Sequence, residues 1–275
     1  MSTANGFRRA LKSSLRAAGL LDLARLGVQA SSLVLDLRRL PSTISSLPWF
    51  LRTWQQYEAL AGGALRVRDA QPCLDDRGDS AGSASGHYFH QDLWAARKVH
   101  ASGVAEHVDV GSRVDGFVAH VAAFTDVVYV DLRPLEARGH EHIRARVGTV
   151  LGLPFGDRSV RSLSCLHVIE HVGLGRYGDP LDPDGSLKAL AELQRVVAEG
   201  GDLLLGVPVG RERVCFNAHR VLSPQTVLRA LDELTLVEFS AVNDAGDLVR
   251  DARPEDFETA DYSCGLFHFT RERAG

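Results

Sequence analysis

The amino-acid sequence predicts an α/β protein: a doubly wound, mostly parallel, seven-stranded Rossmann-like sheet with an N-terminal helical extension. Two observations carry this prediction. Short apolar runs that suit buried strands alternate with segments of helical periodicity over residues 87–275. The first of these runs is followed by a glycine, small polar residues and a helix, which is the strand–turn–helix order of a ligand-binding α/β unit.

The strands and helices of this domain follow one another in the order of a doubly wound fold. Apolar runs predict strands at residues 108–110, 126–131, 143–150, 160–168, 203–208, 236–242 and 266–269. Helical spacing predicts helices over 87–99 and 114–122, a third that begins at Ser186 and stops at Gly200-Gly201, and a fourth that opens at Ser223-Pro224. A turn at 244–247 is expected to join the last two strands as an antiparallel end of the sheet.

Residues 1–68 are predicted to form the helical extension, with one amphipathic stretch over 5–39 and an aromatic stretch over 47–61. Residues 1–70 contain ten Lys and Arg against four Asp and Glu. Two interpretations are open: a helical cap with solvated arginines, or peripheral contact of the basic helices with an anionic membrane surface. Residues 69–86 are rich in Asp, Gly and Ser, which predicts a flexible linker or lid loop before the main domain at 87–275.

Composition restricts the classes of function. The 275 residues are 45% hydrophobic and 24% charged, and the net charge of −4 gives no signal for nucleic-acid binding. No apolar run is long enough to span a membrane, and the first residues lack the pattern of a signal peptide. The four cysteines are widely spaced and form no CxxC pair, so the sequence predicts no metal site and a reducing, cytoplasmic location.

The turn after the first strand is the expected ligand site. Gly111 ends that strand, and Asp131 ends the next one twenty positions later, where an acid can accept hydrogen bonds from both hydroxyls of a ribose. Arg113 occupies the place of the second glycine in a dinucleotide fingerprint, where a side chain obstructs a pyrophosphate. The pattern therefore favours a nucleoside cofactor without phosphates.

Five motifs in order resemble those of class I S-adenosylmethionine-dependent methyltransferases, over about residues 105–210. They are Asp109-Val110-Gly111-Ser112, Asp131, the turn at 153–160, the stretch at 167–172 and the stretch at 199–203. Within that superfamily, the stretches at 86–94, 173–180 and 216–220 resemble a poorly characterised bacterial group associated with glycan biosynthesis.

The resemblance implies S-adenosyl-L-methionine as the cofactor. Its binding residues would be Tyr88, Gln91, Asp109, Gly111, Ser112, Asp131, Leu132, Thr149, Val150 and His167. Asp109, Gly111 and Ser112 would border the methionine part, and Asp131 would hold the ribose. Thr149 stands where such enzymes often carry an acid that contacts the adenine amino group.

Methyl transfer to a hydroxyl also requires removal of its proton, for which a histidine is suited. His171, His219 and His167 are the candidate bases, with His171 and His219 favoured. The candidate substrate-binding residues are His90, Glu170, Tyr177, Asn217 and Arg220, the last as a bidentate grip on an anionic acceptor group. Asp179, Asp182 and Asp184 are interpreted as a solvated loop.

The sequence thus predicts a cytoplasmic O-methyltransferase whose acceptor is a small molecule or glycan, namely a sugar or related polar metabolite. Two alternatives stay open. One is a non-catalytic binding or scaffold protein on a methyltransferase fold, since a fold does not fix a function. The other is an NAD(P)-dependent oxidoreductase, for which the sequence shows neither a full glycine fingerprint nor a catalytic Tyr–Lys pair.

Overall fold

The computed structural model describes residues 40–62, 72–74, 82–136 and 140–273. The chain divides into two units, residues 1–82 and 83–275. Helix α1 (Leu40–Leu60) belongs to the first unit and carries the aromatic stretch predicted over 47–61. The amphipathic stretch predicted over 5–39 and most of the linker predicted over 69–86 lie outside the described residues. No helix in the described ranges has both the length and the hydropathy of a membrane span.

The second unit is built on an eight-stranded sheet and confirms the predicted doubly wound α/β fold. Its strand order is β3-β2-β1-β4-β5-β10-β8-β9, and a separate hairpin consists of β6 and β7. The strands are β1 (Glu106–Val110), β2 (Asp126–Asp131), β3 (Ile143–Val147), β4 (Val160–Leu166), β5 (Val197–Val209), β6 (Arg213–Cys215), β7 (His219–Val221), β8 (Thr235–Val242), β9 (Leu248–Val249) and β10 (Ser263–Thr270).

The first five strands of the sheet are parallel, and β10 runs antiparallel between β5 and β8. The chain order reverses between β1 and β4, which lie side by side at the centre. In open α/β sheets the crevice at such a reversal, beyond the carboxyl ends of the strands, is where ligands bind.

Helices cover both faces because successive strand residues point to opposite sides. The helices are α2 (His87–Ser102), α3 (Ala119–Ala122, continuing a π-helical turn at Val114–Val118), α4 (Gly185–Val196) and α5 (Pro224–Ala230). In β2, Val128 and Val130 pack in the core that holds α4 and α5. Val127 and Tyr129 pack in the core that holds α2 and α3.

Two local predictions were wrong in ways that have physical reasons. Helix α4 ends at Val196, and Gly200-Gly201 lies inside β5, where the register with β4 shifts. A Cβ on Gly201 would lie within 3.0 Å of three main-chain oxygens, so this bulge requires glycine. Ser186 does not cap α4: its hydroxyl donates to the Ile169 carbonyl at 2.6 Å.

The end of the sheet also differs in detail from the prediction. The turn at 244–247 joins β8 to the added strand β9 rather than to the last strand. The antiparallel end itself is confirmed, because β10 pairs with both β5 and β8. The third and fourth strands stop at Val147 and Leu166, earlier than expected.

Candidate functional site

The turn after β1 is held by its own backbone and side chains. Gly111 has a φ of +70°, and a Cβ there would lie 3.1 Å from the Val168 side chain. The Gly111 N–H donates to the Val130 carbonyl at 2.8 Å, which ties the turn to β2. Glycine is therefore required at position 111, because its backbone is left-handed and because the Val168 side chain, just after β4, approaches it closely.

A buried polar cluster lies beneath this turn; we call it the framework cluster, and it consists of His107, Asp109, Ser112, Ser162 and Ser164. The Ser112 N–H and hydroxyl donate to the Asp109 carboxylate at 3.0 and 2.6 Å, and the Ser164 hydroxyl donates to it at 2.5 Å. Ser164 then accepts from His107 Nε2 at 2.8 Å, so His107 Nδ1 accepts from the Ser162 hydroxyl at 2.7 Å.

Burial governs the protonation of the framework cluster. It raises the pKa of Asp109 to about 6, against the effect of the serine hydrogen bonds. It lowers the pKa of His107 to about 3, which keeps this imidazole neutral. Asp109 and Ser112 thus hold the glycine turn in shape and do not line the cleft above it.

Asp131 ends β2 at the edge of the cleft, as the sequence predicts. Its carboxylate accepts from the Tyr129 hydroxyl at 2.9 Å and from the Arg133 main-chain N–H at 2.7 Å. The Arg133 guanidinium adds two hydrogen bonds, at 3.0 and 2.9 Å. Burial acts to raise the pKa of Asp131, but the hydrogen bonds from Arg133 and Tyr129 outweigh it and lower the pKa below its usual value.

The cleft itself lies at the carboxyl ends of β1, β2 and β4 and has about 650 Å³ of free space, part of it open to solvent. Eight of the predicted site residues line it: Gly111, Asp131, Leu132, Thr149, Val150, His167, His171 and Tyr177. Val110, Val168 and Val172 add apolar wall, and Arg133 and Asp179 add charge.

The wall beyond β4 carries a second polar cluster, His167, Glu170 and His171, which we call the wall cluster. His167 Nδ1 lies 2.7 Å from Glu170 Oε1, and these side chains are only 5% and 1% exposed. His167 Nε2 and Glu170 Oε2 are buried and have no hydrogen-bond partner among the residues that the structure describes. Burial acts to lower the pKa of His167, but Cys264 and Glu170 outweigh it and hold the pKa well above its usual value.

His171 faces the cleft in a defined tautomer. Its Nδ1 donates to the Ala218 carbonyl at 2.6 Å, so Nε2 carries the lone pair of the neutral ring. Glu170 Oε1 lies 3.7 Å from that nitrogen. His219 begins β7 and packs on the Tyr262 ring at 4.9 Å, outside the cleft lining; burial lowers its pKa.

Arg220 occupies a different place from the one expected for a substrate-binding residue. Its guanidinium is buried and donates to the carbonyls of Val172, Asp182 and Pro183 and to the Ser186 hydroxyl. Both terminal nitrogens of the guanidinium are thus used to fix the loop before α4 and the first turn of that helix. Asp179 fixes the same loop, because its carboxylate accepts from the main-chain N–H groups of residues 173, 175 and 177.

The remaining predicted residues surround the cleft without lining it. The Tyr88 ring packs against His167 at 5.0 Å, and Gln91 is buried and donates to Asp92 at 3.2 Å. His90 packs on Phe89 in the first turn of α2, and Asn217 is exposed in the turn between β6 and β7. None of these four residues is among those that line the cleft.

Three residues of the site were missed by sequence reasoning. Arg133 follows Asp131 by two positions, and a basic residue so close in sequence could have indicated a partner for that carboxylate. His87 and Cys264 lie next to His167, but they are 80 and 97 positions from it in the chain, so spacing carried no signal.

Comparisons with known proteins find solved structures with a similar fold. A family model described as "Caenorhabditis protein of unknown function, DUF268" matches residues 157–233, and no curated protein matches the chain. The crystal structure of the cyclase SpnF is 14% identical and covers 85% of this chain and 97% of its own, with a TM-score of 0.50.

Two further structures carry methyltransferase titles. The N-methyltransferase NodS from Bradyrhizobium japonicum, in complex with S-adenosyl-L-homocysteine, is 17% identical and covers 75% of this chain and 96% of its own, with a TM-score of 0.49. A TehB-like SAM-dependent methyltransferase from Corynebacterium glutamicum is 15% identical and covers 82% and 99%, with a TM-score of 0.43. At these identities the likeness concerns the fold, and the cyclase among the similar structures illustrates that this fold serves more than one reaction.

Proposed function

We propose that this chain is an S-adenosylmethionine-dependent methyltransferase that binds its cofactor in the cleft at the ends of β1, β2 and β4. The observation that carries the proposal is the convergence on one cleft of a glycine turn, the Asp131 carboxylate and an apolar wall. The carboxylate suits the hydroxyls of a ribose, and Leu132, Val150 and Val168 suit an adenine ring. A cofactor without phosphates agrees with an acid at this strand end.

Cofactor binding has a competitor in the protein itself. Arg133 donates to both oxygens of Asp131, and its guanidinium also lies 4.9 Å from the Tyr177 ring. The Arg133 side chain is 61% exposed, so it can leave the carboxylate at small cost. Ribose hydroxyls would then take the places of its two guanidinium hydrogen bonds.

His171 is the residue best placed to act as the base. Bound S-adenosylmethionine supplies an electrophilic methyl group on a sulfonium. His171 lines the cleft, and Nε2 of its neutral ring carries the lone pair that accepts the proton of an acceptor hydroxyl. Glu170, 3.7 Å from that nitrogen, stabilises the imidazolium that results.

We propose a hydroxyl of a sugar or related polar metabolite as the acceptor, in keeping with the glycan-associated group that the sequence resembles. Tyr177, 41% exposed at the cleft, offers a flat ring with a polar end for such a molecule. Arg176 and Asn217, both exposed near His171, offer hydrogen bonds to its hydroxyls. A non-catalytic binding role is the second candidate, favoured by the pairing of Asp131 with Arg133.

The location and membrane contact are proposals as well. All four cysteines, Cys73, Cys165, Cys215 and Cys264, are free thiols, which supports the cytoplasm. Exposed Leu47, Leu51 and Leu60 on α1 support peripheral contact of the N-terminal helices with a membrane surface.

The test is an acceptor screen with the full chain and S-adenosylmethionine, read out as release of S-adenosylhomocysteine. We expect turnover with at least one sugar or sugar-nucleotide hydroxyl and none in an Asp131→Ala variant that melts like the wild type. Cofactor binding without release from any acceptor class, including amines and thiols, would contradict methyl transfer and favour the binding role.

A further inference from the structure

Three potential metal ligands from distant parts of the chain meet beside the wall cluster. His87 is the first residue of α2, His167 follows β4 directly, and Cys264 lies in β10. One donor atom from each lies within 4.8 Å of the donor atoms of the other two. The His87 and His167 rings stack with centroids 5.4 Å apart, and Cys264 is fully buried.

The hydrogen bonding of His167 leaves its Nε2 available to a ligand. Its Nδ1 is held by Glu170 Oε1 at 2.7 Å, while its buried Nε2 has no hydrogen-bond partner within the described part of the chain. A histidine whose second nitrogen is held by a carboxylate is the usual arrangement of a metal ligand, because the carboxylate fixes the tautomer and the ring orientation. A buried polar atom without a partner is explained by a water, an ion or a chemical role, and the two further donor atoms beside it favour the ion here.

We propose that His87, His167 and Cys264 form a binding site for a divalent transition metal ion of the zinc class. Two imidazole nitrogens and one thiolate are a donor set for zinc and disfavour magnesium or calcium, which prefer oxygen. With Zn–N near 2.1 Å and Zn–S near 2.3 Å, tetrahedral donors lie about 3.3–3.6 Å apart. Because the present donor atoms lie within 4.8 Å of one another, the three side chains need to close by about 1.5 Å at most.

Cys264, His167 and Glu170 do not suit the alternative role of a cysteine nucleophile that a histidine and a glutamate activate. Such a nucleophile has to reach its substrate, and the Cys264 side chain is completely buried. Its sulfur lies 3.8 Å from Gln91 Oε1, a contact that orients the thiol inside the core. A nucleophilic pair would also leave His87 without a role.

The position of the site connects two surfaces of the domain. His167 lines the cleft at the ends of β1, β2 and β4, and His87 lines a second, polar cleft with Asn243, Asp244 and Tyr262. Three protein ligands are typical of zinc sites that keep one position for water or for an oxygen of a substrate. The metal ion would therefore be reached from the surface and would lie beside the proposed active site.

The test is metal binding by the full chain with no S-adenosylmethionine present, so its outcome is independent of methyl transfer. Protein stripped with a chelator is titrated with Zn²⁺ against a chromophoric chelator, and Co²⁺ loading is followed by absorbance. We expect one equivalent of Zn²⁺ and a thiolate-to-cobalt charge-transfer band. Cys264→Ser should abolish the band, and His87→Ala should weaken Zn²⁺ binding roughly 100-fold or more.

Matched controls keep the test specific. Cys165→Ser changes another fully buried strand cysteine, and His90→Ala changes another histidine in the first turn of α2; both should bind Zn²⁺ like the wild type. Circular dichroism checks folding, and if Cys264→Ser does not fold, the partly exposed His87 decides. Absence of stoichiometric binding by folded wild type, or unchanged affinity in folded His87→Ala, would overturn the proposal.

Discussion

Two polar clusters, one beneath the turn after β1 and one directly after β4, differ in one respect. In the framework cluster under the β1 turn, Ser112 and Ser164 donate to the Asp109 carboxylate, and Ser164 accepts from His107. In the wall cluster after β4, His167 Nε2 and Glu170 Oε2 are buried and without partners among the described residues.

This difference assigns a structural role to the framework cluster and a functional role to the wall cluster. A buried group that finds all its partners inside the protein stabilises one backbone shape, which here is the glycine turn. A buried group without a partner costs about 1–3 kcal/mol and calls for a reason in the use of the protein. We therefore expect substitutions in the framework cluster to change stability, and substitutions in the wall cluster to change binding or turnover.

The largest effect is expected for His171→Asn. An asparagine amide keeps the hydrogen bond to the Ala218 carbonyl but has no basic nitrogen. We expect kcat for methyl transfer to fall about 10²- to 10⁴-fold with an unchanged melting temperature. The matched variant His219→Asn should lose less than about tenfold, and the reverse order of the two variants would assign the base to His219.

Asp109→Ala tests the supporting side of the comparison. The substitution removes the acceptor of three hydrogen bonds, from the Ser112 N–H and from the hydroxyls of Ser112 and Ser164. We expect the free energy of unfolding to fall by about 3–5 kcal/mol in denaturant titrations. Asp115→Ala, at an exposed carboxylate nearby, should change it by less than about 0.5 kcal/mol; equal losses would remove the framework role of Asp109.

The pH dependence of stability sharpens this assignment. Because burial raises the folded-state pKa of Asp109 to about 6, above its unfolded value, the folded state binds more protons between those two pKa values. The contribution of Asp109 to the free energy of unfolding is complete below about pH 4. It falls by about 2–3 kcal/mol as the pH rises through about 6.

Asp109→Asn removes that titration. The difference in unfolding free energy between wild type and Asp109→Asn, measured from pH 4 to 7.5, should shift against the wild type as the pH rises. A difference that is constant over this range would show that the carboxyl group titrates as it does in the unfolded chain.

Arg133→Ala gives the smallest expected effect. Because the Arg133 guanidinium occupies both oxygens of Asp131, its removal should improve S-adenosylmethionine affinity by about two- to tenfold. Arg146→Ala, an exposed arginine on the edge strand β3, is the matched control and should leave the affinity unchanged. Weaker binding in Arg133→Ala would make this arginine a ligand of the cofactor instead of its competitor.

Periodicity and glycine placement predicted the sheet and the elements that form the cleft. Gly111 and Asp131 were found because strand ends and turn glycines are local features of a sequence. The bulge at Gly200-Gly201 was read as a helix stop, because a glycine pair looks the same in both settings until the neighbouring strand is known.

Features that depend on distant residues escaped prediction. The burial of Arg220 follows from three carbonyl groups of a loop that lies 37–48 positions earlier in the chain. The meeting of His87, His167 and Cys264 follows from the packing of α2 across β4 and β10, which β5 separates in the sheet. In both cases the residue type was visible in the sequence, but its partners were set by tertiary structure.

The most direct test of the proposed cofactor site is calorimetric titration of the full chain with S-adenosylmethionine and S-adenosylhomocysteine. Asp131→Ala removes the predicted ribose ligand, and Asp126→Ala removes an exposed acid from the other end of the same strand. We predict binding by the wild type and by Asp126→Ala, and loss of binding in folded Asp131→Ala. No binding by folded wild type, or equal binding by both variants, would contradict a cofactor site in this cleft.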